Sequence, residues 1–127
     1  ISEEFGGSGF GLAELAVVLE SQGLQVCPGP FLASVSASVV IDRCAPDSVR
    51  AELLPGLASG DTVAALGVSG PISVGSDLVV TGESPAVLGA PDADVLVLVA
   101  GEDSARKAAD LLEAQGYSVI VSPAFED

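Results

Sequence analysis

The feature that most constrains this chain is a change of texture near residue 60. Up to Leu57 the apolar residues recur at helical spacing, whereas from Thr62 onward short Val-rich runs are broken by Gly and Pro. A helical period and an extended period belong to different elements, so helices are expected first and strands afterwards. The fold class implied is α+β: a helical bundle segment, then a β part, with the boundary near Ser59-Gly60-Asp61.

In the first part, Leu12, Leu15, Ala16 and Leu19 set one helical face over residues 11–22, widened by Val17 and Val18. So few residues there are strongly polar that this helix is expected to be buried on most sides, with Gly23 as its stop. Pro28-Gly29-Pro30 breaks the chain before a second helix over 31–42. Its small residues (Ala33, Ser34, Ser36, Ala37 and Ser38) permit close packing or leave room for a ligand. A third helix starts at Pro46-Asp47-Ser48, carries Val49, Leu53 and Leu57 on one face, and is expected to end or kink at Pro55. Three helices with short links imply a bundle. In the second part, residues 62–68, 78–81, 95–99 and 117–121 are strand candidates, and 104–115 has helical spacing.

Charge narrows the function. Eighteen acids face four bases, for a net charge of −14. Phosphate backbones and anionic lipid surfaces repel such a chain, which argues against nucleic-acid and membrane partners. With no histidine, Ser-His-Asp and Cys-His pairs and His-ligated metal sites cannot be built from this chain alone. There is no methionine either, and the chain opens at Ile1, so a piece of a longer polypeptide is expected. Cys27 and Cys44 have no zinc spacing and read as two buried thiols in a reducing cytoplasm.

The motifs name no reaction by physics alone. Gly6-Gly7-Ser8-Gly9-Phe10-Gly11 invites a phosphate-loop reading, but Leu12 stands where a dinucleotide fingerprint needs its last glycine, and no Gly-Lys-Ser/Thr follows. A tight turn into a helix is the better reading. Asp92, Asp94, Glu102 and Asp103 lack the ligand spacing and central glycine of a calcium loop and read as solvated turns, so no metal site is expected. Ser69 and Ser76 lie beside glycines near strand ends, where hydroxyls often close turns.

A resemblance adds to this. The opening Glu3-Glu4-Phe5-Gly6-Gly7-Ser8-Gly9, with the helix after it, resembles the P-E-E-[FY]-G-G-x-G segment of the acyl-CoA dehydrogenase family. Leu54-Pro55-Gly56-Leu57-Ala58-Ser59-Gly60 resembles its L-P-x-L-x-x-G, and Val68-Ser69-Gly70-Pro71 stands where the family has L-T-E-P. Gly75-Ser76-Asp77 is similar to G-S-D, and residues 93–100 to the A-D-x-x-x-[VL]-x-A strand. Gly116-Tyr117-Ser118-Val119 resembles a later strand, and the Ala/Val/Gly-rich flavour resembles actinobacterial members.

The resemblance implies the C-terminal part of the α-helical domain over 1–60 and a partial middle β-domain, an antiparallel barrel, over 61–127. It implies α,β-desaturation of an acyl-CoA thioester from lipid or steroid side-chain β-oxidation. In that chemistry a carboxylate removes the α-proton and a hydride passes to FAD. It also implies a homo- or hetero-oligomer. The flavin-contacting positions it marks are Leu66, Val68, Ser69, Ser76, Ala86, Val87 and Leu88, and Phe31, Leu32 and Val35 are its acyl-channel positions. No catalytic residue is carried over, because the family's carboxylate would lie beyond Asp127.

Departures from the family pattern matter. Its W-[IV]-T against the flavin is Ala86-Val87-Leu88 here, its preceding Lys is Ser84, and the Glu of L-T-E-P is Gly70. The reading reached is a degenerate, non-catalytic half or subunit that holds FAD weakly or not at all. The alternatives are a fragment of an active dehydrogenase, or a receiver-like βαβ signalling module built on residues 95–121.

Overall fold

A computed structural model describes residues 1–75 and 79–100. A 3₁₀ turn at Glu3–Phe5 leads through the glycine loop to α1 (Leu12–Leu24), followed by α2 (Phe31–Cys44) and α3 (Asp47–Ser59). The strands are β1 (Ala64–Gly67), β2 (Ile72–Val74), β3 (Val80–Gly82) and β4 (Val95–Leu98), with a 3₁₀ turn at Ala90–Asp92 before β4. The order of helices before strands is the expected one. The expected helix over 104–115 and strand over 117–121 lie outside the described residues, as does most of the βαβ reading of 95–121.

The core is small and centred on α2. Ala33, Ala37 and Ile41 recur every four residues along one face of that helix and are buried, together with Leu54 of α3 and Ala64 and Ala65 of β1. Alanine at the contact positions lets the α2 backbone come close to β1, so α2 packs on both α3 and β1. Ser36 and Ser38 donate their hydroxyls to the carbonyls of Leu32 and Ser34, each at 2.7 Å, which keeps small polar residues satisfied inside the helix.

Helix α1 departs from expectation. None of its residues is buried, and Leu12, Val17, Val18 and Leu24 are all exposed. The three-helix bundle therefore reduces to a close α2–α3 pair, with α1 set apart across a cleft. Gly23 does not stop α1; the helix runs on to Leu24, and Val26 takes the left-handed conformation at φ 48°. Val26 N–H bonds to the Gly23 carbonyl at 3.2 Å and Cys27 N–H to that of Gln22 at 3.0 Å, the two bonds of a Schellman ending. The cause lies downstream. Pro28 keeps Cys27 out of the helical region, so the reversal has to be finished at Val26. A β-branched residue is poorly suited to that conformation. Val26→Gly is expected to raise stability by about 1 kcal/mol, read as a higher thermal midpoint.

Pro55 does not end α3; it sits inside the helix, which closes at Gly60 in the left-handed conformation (φ 82°). The two cysteines are free, and Cys27 is exposed rather than buried.

The β part differs from the antiparallel barrel the resemblance implied. β1 and β4 pair in parallel, Ala64 opposite Val95 through Gly67 opposite Leu98. β2 and β3 form a separate antiparallel hairpin, with Ile72 opposite Gly82. The physical reason for the parallel pairing is a side-chain anchor. The Asp94 carboxylate accepts the Val63 N–H at 2.9 Å, and the Val63 carbonyl accepts from Asp94 and Val95. The chain thus returns to the starting end of β1 before β4 begins, so both strands run the same way. Asp94 is committed to this role, and Glu102 and Asp103 of the same acidic set lie outside the described residues.

Candidate functional site

A cleft of about 650 Å³ lies between the glycine loop with α1 on one side and α2 with the α3–β1 junction on the other. The sequence builds its long wall directly. Phe31, Ser34, Val35, Ser38, Val39 and Asp42 follow helical spacing, so they form one stripe along α2 beside the buried Ala33-Ala37-Ile41 stripe. Leu12, Leu15 and Val18 of α1 face it across the gap, and Leu57 and Val63 close one end.

Two of the three expected acyl-channel residues, Phe31 and Val35, line this cleft. Leu32 does not; it projects from a different face of α2 and is about half exposed (48%). Ser34 and Arg43 are lining residues that sequence reading did not single out as ligand positions. The helical spacing from Phe31 was the available signal for Ser34; none in the sequence marked Arg43.

Ser34 also fastens the wall in place. Its hydroxyl accepts the Ala64 N–H at 3.2 Å and donates to the Ala64 carbonyl at 3.4 Å. In a parallel pair alternate residues point away from the partner strand. Here Val63 and Gly67 serve β4, and Ala64 turns its two backbone groups toward α2. One hydroxyl thus satisfies both of them at the outer edge of β1.

The glycine loop is a tight turn. Gly6 N–H donates to Glu3, Gly7 N–H to Ser2 and Gly9 N–H to Ile1, all to backbone carbonyls. Gly11 N–H donates to the Glu14 carboxylate at 2.9 Å. These four amides are consumed within the chain, so the loop does not form the nest of open donors that a phosphate requires. Arg50 holds the turn down: its guanidinium reaches Asp42 at 3.3 Å and Asp47 at 3.1 Å and lies 5.0 Å from the centre of the Phe5 ring. One side chain therefore ties the 3₁₀ turn to α2 and α3.

The expected flavin-contacting positions come together in part. Ser84 donates its hydroxyl to the Ser69 carbonyl at 2.7 Å. A Cβ on Gly67 would meet the Ser84 hydroxyl at 2.7 Å and Val87 at 3.1 Å. The strand end at 66–69 and the loop at 84–88 are thereby neighbours. Leu66 and Val87 are half-buried, whereas Val68, Ser69, Ala86 and Leu88 are exposed, and Ala86 has φ 56°. Ser76 lies outside the described residues. Among the described residues no three His, Cys, Asp or Glu side chains stand together as a metal site, and no helix is long and apolar enough to cross a membrane.

Comparison with known proteins gives one finding for the region that carries the cleft. The family described as "Acyl-CoA dehydrogenase, N-terminal domain" matches residues 1–61, a little under half of the chain and the span that holds the three described helices. No curated protein and no solved structure matches the chain significantly.

Proposed function

On the premise that residues 1–61 are an acyl-CoA dehydrogenase N-terminal domain, we propose that this chain holds the acyl part of a thioester in the α1–α2 cleft. In this reading it serves as a supporting, non-catalytic half or subunit of an acyl-CoA-desaturating assembly. The observation that carries the proposal is the apolar stripe of α2, with Phe31 and Val35 facing Leu12, Leu15 and Val18 across an open cleft. Apolar walls of this kind favour a hydrocarbon chain through the area they remove from water. The domain division at residue 60 and the roles of Phe31 and Val35 belong to the same proposal. Leu32 lies outside the cleft lining and is left out of it.

The residues at 66–69 and 86–88 do not fit FAD, the cofactor the family implies. At 86–88 there is neither a ring to stack on an isoalloxazine nor a hydroxyl to bond its edge. The Ser84 hydroxyl is spent on Ser69, and Ser69 contributes the one hydroxyl of the set. No chemical step is assigned to the flavin in this chain, and a partner subunit is the proposed source of the redox chemistry.

The test is binding of decanoyl-CoA, with a flavin absorbance spectrum and intact mass of the purified assembly. Val35→Trp, which fills the cleft, is expected to weaken decanoyl-CoA binding about tenfold or more. Flavin is expected in less than one equivalent per copy of this chain. Unchanged binding by Val35→Trp would remove the cleft from the reading. A full complement of flavin lying against residues 86–88 would remove the supporting role.

A further inference from the structure

We propose that the cleft selects ligands bearing an anionic group at its Arg43 end, so that the acyl chains it prefers terminate there in a carboxylate. The inference rests on the reading that the cleft holds an acyl chain, and it adds a polar specificity to an apolar site.

Three charged side chains line the cleft: Glu14, Asp42 and Arg43. The two acids are already committed. Glu14 accepts the Gly11 N–H at 2.9 Å at the start of α1, and Asp42 is paired with Arg50 at 3.3 Å. Arg43 makes no ion pair and no hydrogen bond among the described residues, although the chain carries 18 acids and only four bases. The charge left for a ligand to meet is therefore positive, and it is a planar group with five donors suited to a carboxylate.

Position supports the same conclusion. From Phe31 to Arg43 the helix rises about 18 Å and ends about 120° further round, so Arg43 stands at the far end of the cleft and at the margin of the α2 wall. A ligand lying along that wall meets apolar surface first and the cation last. A cation in the last turn of α2 also suits the helix dipole. Arg43 is exposed, so its donors are hydrated and are available to a ligand that displaces that water.

The experiment is calorimetric titration of the full chain with decanol, decanoate, decanoyl-CoA and the mono-CoA thioester of decanedioate. Wild type is expected to bind decanoate about tenfold more tightly than decanol. Arg43→Gln is expected to erase that difference while leaving decanol binding and the thermal midpoint unchanged, and Arg43→Lys to restore most of it. A gain for the decanedioate thioester over decanoyl-CoA identifies the anion as the far end of an acyl chain. A gain confined to free decanoate identifies it as a free fatty carboxylate. Equal binding of decanoate and decanol by wild type, or an equal loss of both in Arg43→Gln, overturns the anion site. Failure of all four ligands to bind overturns the acyl cleft, and this inference with it.

Discussion

Ile41→Ala is expected to lower the unfolding free energy by about 3 kcal/mol. Ile41 is fully buried, and only one other large side chain, Leu54, is equally enclosed among the described residues. The rest of the described core is mainly alanine, which offers little adjacent side chain to relax into a cavity. Deletion of a branched aliphatic group at such a site loses its transfer free energy and leaves a void. Urea unfolding would read the change as a shift of midpoint at unchanged slope. A loss below about 1 kcal/mol would mean that α2 and α3 are not held by the packing described here.

Ser34→Ala is expected to cost about 2 kcal/mol, an unusually large effect for an alcohol on a helix surface. The hydroxyl is the partner of both backbone groups of Ala64, which is fully buried. Methyl replacement leaves an N–H and a C=O enclosed without partners, and water has no easy route to them. The diagnostic readout is hydrogen exchange: the Ala64 amide is expected to lose protection, while amides of the β2–β3 hairpin are not. Uniform loss across the chain would instead indicate general destabilisation.

Much of the helical part was legible in the sequence, because helical periodicity is a local property. The start of α2 at Phe31 follows from Pro28-Gly29-Pro30, whereas the end of α3, expected at Pro55, falls at Gly60, a glycine free to adopt positive φ. The end of α1 was misread because the proline rule and the glycine rule competed. Pro28 decided the ending through Cys27, and Val26 accepted the strain. The exposure of α1 was illegible for a different reason: an apolar helix states that it needs cover, but not which surface supplies it. Strand direction was also out of reach. Val-rich runs mark strands, yet the parallel pairing of β1 with β4 depends on Asp94 finding Val63 across 31 residues.

The site was half legible. Phe31 and Val35 came from resemblance and share the cleft wall, whereas Leu32, between them in sequence, turns away. Ser34 looked like one more small residue of a close-packing stripe. Its double bond to Ala64 requires a neighbouring strand whose alternation points the right backbone groups outward. Arg43 needed the partners of Glu14 and Asp42 to be known before its freedom had meaning.

The reciprocal bond at Ala64 also gives the small parallel sheet a handedness of growth. An incoming strand seeks a row of unclaimed amides and carbonyls, and on the β1 flank that row is already interrupted at its first residue. On the β4 flank, Leu96 and Leu98 present outward apolar side chains along a strand with no such plug among the described residues. Recruitment of further extended chain is thereby directed to one margin of the sheet, away from the α1–α2 cleft, so enlarging the β layer need not disturb the wall that α2 presents.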